Sequence, residues 1–349
     1  MRGEERPVGF MRIARQTQKR TQASVNSEHN LMRLGRIKRI ATPLTMFIVL
    51  RGLDNTVLKA LQRHGSNHLI GGINPVSFCN VLFLVQLAAG LTFLAEGRQT
   101  LLRRLKALSA GNYMLLAGDA LLGRCLGPTA YFFALESLSV ISQTLLFALV
   151  LPVSALMARW CLNEPLPRGF GLSVVLISSG LYLSQLSVTA AGMPSEHRAG
   201  VVWALVGVIA FSGAGVTGRR IAEHHWPAAI SIGLGSMVSA VVFAVLTLRF
   251  YGPSHFMPLQ LWWVLGVLGL YALTLSLGSE LALQLAYRDS SVATVSLWGS
   301  LTIAVSVTSA ALLLNERIQG TTLMGIIALM AGVLSAKRSS VQTHSEPEG

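Results

Sequence analysis

Ten apolar stretches, each near the length of a membrane span, constrain this chain more than any motif in it. They fall at 44–62, 76–95, 112–134, 138–160, 168–187, 200–220, 228–248, 261–286, 291–314 and 320–336. A helix of roughly 20 mostly apolar residues crosses the hydrocarbon core. Inside it every backbone N–H and C=O must be satisfied within the segment or by a closed barrel, and these runs exceed the about ten residues of a barrel strand. Ten helices are therefore predicted. Composition agrees, with 52% of the 349 residues apolar and 12% charged, where a soluble domain carries about a quarter charged. The expected class is an all-α membrane protein with the lipid bilayer as its main partner.

The formal charge of +13 is not laid out as one stripe on a polar domain, so no nucleic-acid partner is expected. The basic residues sit in the tails and between the apolar runs. Residues 1–43 read as a basic cytosolic tail without sustained apolar period. A transit peptide is the alternative, opposed by Glu4 and Glu5, and a later start at Met32 or Met46 is a third reading. Lys and Arg gather on the cytosolic side of short loops. With the N-terminus inside, the cytosolic positions would hold Arg98, Arg103, Arg104 and Lys106, then Arg159 and Arg168, Arg219 and Arg220, Arg288, and Lys337 with Arg338. The opposite loops carry fewer, chiefly Lys59, Arg63, Arg198, Arg249 and Arg317. Both termini are thus predicted cytosolic, in the cell (inner) membrane.

The two halves repeat. An offset of 152 residues lays Leu162, Asn163 and Glu164 on Leu314, Asn315 and Glu316, and brings Ala134, Ala158 and Gly180 onto Ala286, Ala310 and Gly332. Near the starts of the halves an offset of 160 pairs Lys59 with Arg219 and His64 with His224. Units of five helices, an odd number, must enter the membrane in opposite senses, the inverted-repeat plan that holds a substrate near the midplane. The boundaries expected are 44–187 for the first repeat, 188–199 for a linker, 200–337 for the second repeat and 338–349 for a C-terminal tail.

The stretch from Ser139 through Thr144, Leu145 and Leu146 to Pro152, ending in Leu162, Asn163, Glu164, Pro165 and Leu166, resembles the EamA-like signature of the drug/metabolite transporter superfamily. The second copy departs from it at Ala304, where the first has Pro152, so its helix should be less kinked. The resemblance implies ten helices, a central cavity lined mainly by helices 1, 3, 4, 6, 8 and 9, and peripheral helices 5 and 10. It marks a scaffold and no cargo.

Several motifs have plainer readings. Gly213, Gly215 and Gly218 spell GxGxxG inside a helix, where small residues admit a neighbouring helix, and no strand precedes them to make a nucleotide loop. Asn163–Glu164 and Asn315–Glu316 read as an N-cap followed by an acid at the positive end of the next helix. His224 and His225 beside Glu223 lack metal-binding spacing. Cys79, Cys125 and Cys161 contain no CxxC pair, so no metal, cofactor or disulfide framework is expected. Trp203, Trp226, Trp262 and Trp263 read as interface anchors. Trp298 is a candidate cavity residue, and Ser296, Ser300, Thr302 and Ser306 make helix 9 hydroxyl-rich.

Charges inside the spans are the candidate site, because each costs about 2.5–3.5 kcal/mol at a helix centre. Arg51, Asp54, Asp119, Arg124 and Glu280 qualify and must face a cavity or one another. Arg51 and Asp54, three apart, share a helix face. Asp119 and Arg124, five apart, lie roughly 140° apart on an α-helix, so Arg124 should seek a partner elsewhere, Glu280 being the natural one. Arg124 could otherwise hold a carboxylate or phosphate. Glu280, with Gln284 a turn on, is the candidate for proton coupling. The substrate-binding set is Arg124, Arg51, Asp54, Asp119, Glu280, Gln284 and Trp298. The expectation is a secondary carrier of a small polar metabolite (amino acid, sugar or drug-like compound) by alternating access and not an enzyme, with homodimerisation left open. A membrane-embedded enzyme and a non-transporting scaffold are the rival readings.

Overall fold

The computed structural model describes residues 42–163, 166, 170–190, 195–224, 226–289, 299, 301–318, 320, 322–328 and 330–331. Regular structure among them is helical, apart from an isolated bridge between Ile70 and Ile73. Helix α1 covers 42–67 and α2 is Phe78–Lys106. Helix α3 runs as Ala110–Asp119, a π turn Ala120–Leu126, and Gly127–Ser137. Helix α4 comprises Val140–Phe147 and Val150–Leu162, α5 is Phe170–Ala190 and α6 is Ser195–Glu223. Helix α7 joins a π turn Ala229–Leu234 to Gly235–Phe250. Helix α8 runs Trp262–Tyr271, a π turn Ala272–Leu277, and Gly278–Asp289. Helix α9 is Leu301–Leu313, and α10 is helical over 322–328.

Serines open three helices of the first half. Ser77, Ser109 and Ser139 accept from the backbone N–H of Asn80, Asn112 and Ser142 at 3.3, 3.3 and 3.1 Å, satisfying donors that a helix start leaves orphaned. Arg103, Arg104 and Lys106 close α2 at its negative end. Helix α4 breaks at Ala148–Leu149, four residues before Pro152, whose ring nitrogen cannot donate to the Ala148 carbonyl. Helix α9 is continuous through Ala304, matching the absence of proline there.

Among the described residues five spans meet the length and hydropathy of a membrane crossing: Phe78–Gln99, Val140–Leu162, Ser195–Glu223, Ala229–Phe250 and Trp262–Ala286. Shorter apolar helices lie at Phe170–Leu183 and Leu301–Leu313. Val202, Ile209, Val238, Val241, Val245 and Leu270 point their side chains outward, which in lipid removes no favourable hydration. Helix α6 packs along α3 and α4, and its glycines permit the approach. A Cβ at Gly207 would stand 2.7 Å from Phe147 Cζ, and one at Gly213 would stand 2.9 Å from Leu122 Cδ1. The glycine run of α6 is thus a packing face.

Two local expectations are corrected. Asn163 and Asn315 do not open the following helices. They stand just past the ends of α4 and α9 in the left-handed region, at φ 55° and 53°, which asparagine tolerates at a helix terminus. After Asn315, the Glu316 N–H donates back to the Ala310 carbonyl at 3.3 Å. The Glu316 carboxylate caps α4 instead of its own next helix, Oε1 accepting from Val140 N–H at 2.9 Å and Oε2 from Ile141 N–H at 3.2 Å. Arg63 Nη2 stands 3.9 Å from the same group. Glu164 lies outside the described residues. Lys59, read from sequence as a loop residue, is buried within α1 and donates to the Leu135 and Glu136 carbonyls at the negative end of α3, the latter at 2.9 Å.

The tryptophans divide. Trp262 is 84% exposed and fits an interface anchor. Trp203 instead stacks on Phe133 at 5.0 Å, and Trp263 packs against the main core. Trp226 stacks on His224 at 4.5 Å. His225 lies outside the described residues.

Candidate functional site

Helix α3 cannot stay a regular α-helix at its centre. Pro128 has no N–H to give the carbonyl four residues back, which is that of Arg124. The helix answers with a π turn over Ala120–Leu126, in which Gly127 N–H donates to Leu122 five residues back. Gln86 on α2 takes up the orphan, donating from Nε2 to Arg124 O at 3.1 Å. A π turn is a frequent mark of a functional site. Its i→i+5 repeat also stacks residues five apart, so Asp119 and Arg124 lie on nearer faces than the regular helix predicts. Asp119 is held by Thr217 of α6, whose Oγ1 donates to Oδ1 at 2.8 Å.

Helix α8 carries the same device. Its π turn begins at Ala272, as that of α3 begins at Ala120, the spacing of 152 residues read from the sequence. Gly278 N–H donates five residues back, to Leu273. In register with Arg124 and Pro128 stand Ser276 and Glu280, and all four line one cavity of about 270 Å³.

That cavity is the candidate site. Helix α1 contributes Phe47, Arg51, Asp54 and Leu58; α2 contributes Val81, Leu82, Val85, Gln86 and Ala89; α3 contributes Gly123, Arg124, Pro128, Tyr131 and Phe132. Phe211 enters from α6, and Tyr271, Ser276, Leu277, Ser279, Glu280 and Leu283 from α8. The lining is apolar with a few convergent polar groups, as small-molecule sites are. It differs from the helix set implied by resemblance, since α2 lines the cavity and α4 and α9 supply none of its described lining.

Helices α4 and α9 act from behind. Asn55 Nδ2 donates to Thr144 Oγ1 of α4 at 3.4 Å and to Ser306 Oγ of α9 at 3.1 Å, while Thr144 and Ser306 share a bond of 3.1 Å. The Tyr131 hydroxyl of α3 donates to Asn55 Oδ1, joining four helices beside the cavity. One turn along, Thr56 and Ser309 bond at 2.6 Å. Ser306 thus carries an interhelical bond, whereas Thr302 turns back on the Gly299 carbonyl. Ser296 and Ser300 lie outside the described residues. A polar group so buried in a bilayer is costly unless it finds such a partner.

Four of the five charged residues expected at the site form two ion pairs. Arg51 Nη1 stands 3.3 Å from Asp54 Oδ2, the aspartate side chain being 6% exposed. Arg124 Nη2 stands 3.5 Å from Glu280 Oε1, with the two side chains 22% and 32% exposed. Both pairs border the cavity, and Tyr271 adjoins Asp54. Asp119 is placed against Thr217 and does not line the cavity, nor does Gln284. Trp298 lies outside the described residues. Sequence reasoning missed Gln86, Tyr131 and Tyr271. The one signal available for Gln86 was Pro128, which announces a carbonyl in need of a donor. Among the described residues no group of three or more His, Cys, Asp or Glu side chains is placed to hold a metal ion.

Residues 198–336 match the EamA-like transporter family. An uncharacterized transporter of Synechocystis sp. is 26% identical over 326 residues, covering 89% of this chain and 91% of that protein. A crystal structure, titled only as that of a protein, superposes with a TM-score of 0.50 at 17% identity over 89% of this chain and 99% of the other. At that identity the likeness concerns the fold alone.

Proposed function

We propose, from the match of residues 198–336 to the EamA-like transporter family and the likeness to a relative named as a transporter, that this chain is an EamA-like member of the drug/metabolite transporter superfamily and a secondary carrier of a small polar metabolite working by alternating access. Its plan is ten helices in two inverted five-helix repeats, 44–187 and 200–337, joined by a linker at 188–199. The matched π turns of α3 and α8 and the matched left-handed asparagines after α4 and α9 support that plan. Both termini, the basic tail 1–43 and the tail 338–349, face the cytosol across the inner membrane.

One observation carries the reading: a cation from the first half and an anion from the second meet across a single cavity of about 270 Å³. A scaffold has no need to keep costly charges there. A carrier does, because a ligand that competes for Arg124 and Glu280 alters the contact between the repeats and so biases their rocking. Arg51, Asp54, Asp119 and Gln284 complete the charged and polar neighbourhood, with Trp298 as a further expected lining residue. Glu280 is the acid through which proton coupling would act.

Counterflow of labelled metabolite into proteoliposomes tests the function, with candidates chosen by thermal-shift screening of the purified protein. Substrate-dependent counterflow in the wild type, lost in Arg124→Ala, is expected. Absence of counterflow for every ligand that binds would leave a binding protein and sink the carrier reading. Reporter tags after Leu162 and after Leu314 should appear on opposite sides of the membrane. Tags on the same side would remove the inverted plan.

A further inference from the structure

The two ends of the cavity are closed unequally. Toward the end of α1, Leu58, Tyr131 and Phe132 form its wall, and behind them α1 is bonded to the last segment of α3. Gln62 Nε2 donates to the Phe132 carbonyl at 3.0 Å, and Lys59 Nζ donates to the Leu135 and Glu136 carbonyls, the latter at 2.9 Å. Asn55 accepts from the Tyr131 hydroxyl and donates to Thr144 of α4, which bonds Ser306 of α9. Lys59, Gln62 and Ser306 are 7%, 6% and 1% exposed, whereas Arg51, one turn before Asn55, keeps 46% of its side chain exposed. A seam thus runs between α1 with α9 on one side and α3 with the first segment of α4 on the other. That segment, Val140–Phe147, is set off by the break at Ala148–Leu149, so it can swing without unwinding the rest of α4.

The repeat supplies the comparison. An offset of 160 carries α1 onto α6, and one of 152 carries the last segment of α3 onto Gly278–Asp289 of α8. The counterpart of the bonded pair α1 and α3 is therefore α6 and α8, at the other face. There α6 lies on α3 and α4, with at most marginal contact to Gly278–Asp289. Its residues also lack the groups to copy the seam: Gly215 stands for Asn55 and Ala222 for Gln62, Leu283 of α8 stands for Tyr131, while Lys59 keeps a basic mate in Arg219. Resting on the carrier reading above, we propose that the seam is a one-sided latch, which shuts the cavity on the face where α1 ends and holds the carrier at rest in that form. Opening this face must break buried hydrogen bonds, and closing the other face regains fewer of them, so the two forms are unequally populated.

The test reads access to the cavity, apart from flux. Ser276 lines the cavity from α8. The full-length chain carries Ser276→Cys, with Cys79, Cys125 and Cys161 replaced by alanine, and meets a membrane-impermeant maleimide on intact cells and on inverted vesicles. The introduced thiol should react about tenfold or more faster from the face where α1 begins than from the face where it ends. Asn55→Ala with Lys59→Met should raise labelling from the latched face by about ten- to a hundredfold. Gly97→Ala, which crowds Ala229 of α7 away from the seam, should lower the unfolding temperature and leave labelling unchanged. Equal labelling from both faces in the parent, or no rise in the double variant, overturns the latch. Should the double variant prove misfolded by size exclusion, Thr144→Cys with Ser306→Cys decides in the same cysteine-free chain without Ser276→Cys. Oxidation by copper phenanthroline should join α4 to α9 and stop counterflow until a reductant is added. A chain that cross-links and still carries, or one that forms no disulfide, overturns the latch too. Sided labelling without counterflow for any ligand would break the carrier reading alone.

Discussion

The π turns of α3 and α8 invite comparison, since these helices distort at matched places and then use the distortion differently. In α3 the turn carries Arg124 and is followed by Pro128, while in α8 the matched positions hold Ser276 and Glu280. Helix α3 places Arg124 and helix α8 places Glu280 in the cavity, one helical turn out of register and opposite in charge, beside Arg51 and Asp54 of α1. Equivalence of backbone with inequivalence of side chain gives two matched distortions and an asymmetric cavity between them.

Breaking the charge contrast should have the largest effect. Arg124→Ala and Glu280→Gln are each expected to abolish flux while the protein still inserts, read by counterflow beside surface labelling. Retained flux in both would detach the charges from the mechanism. In thermal unfolding the double variant should lose less than the two singles added together, with a coupling of about 1–3 kcal/mol.

The comparison sharpens on packing next. The face of α6 that receives α3 and α4 is built of glycine, so Gly207→Leu should cost about 1–3 kcal/mol by driving a side chain into Phe147, seen as a lower unfolding temperature in detergent. A smaller effect is expected from Glu316→Ala. Removal of the carboxylate leaves the Val140 and Ile141 amides uncapped and should cost about 1–2 kcal/mol, with Glu316→Gln recovering part of it. An unchanged unfolding temperature in Glu316→Ala would mean that the contact between halves adds nothing.

The smallest effect concerns pH at the loop between α7 and α8, outside the spans. His255 Nε2 bonds Ser77 Oγ at 2.8 Å and its ring stacks on Tyr251 at 4.7 Å. Partial burial lowers the His255 pKa below its usual 6.5. The unfolded chain therefore binds more protons between the depressed value and 6.5, and stability falls as pH drops through that window. His255→Gln should flatten the acid side of a plot of unfolding temperature against pH. An unchanged slope would place the dependence elsewhere.

Much of this was legible in the sequence, for reasons tied to particular residues. Arg51 with Asp54 and Arg124 with Glu280 could be paired because a charge in an apolar run must find a partner, and few were available. The α4 break followed from Pro152. Side chains that look ordinary in sequence hid the rest. Gln86, Tyr131 and Tyr271 lie within apolar spans, and nothing in a linear pattern says which wall they face. Asp119 and Arg124 were misjudged in angle because a π turn has no composition of its own. Glu316 was assigned to the wrong helix, since its partners Val140 and Ile141 lie more than 170 residues away and local capping rules look only forward.

That long reach from Glu316 to the start of α4 governs how the molecule is made. A ribosome releases Val140 well before residue 316 exists, so the first half must sit in the bilayer with two backbone amides waiting for their acceptor. Final seating is therefore deferred until synthesis is almost finished, and truncated chains should be conspicuous to the cell's quality-control proteases.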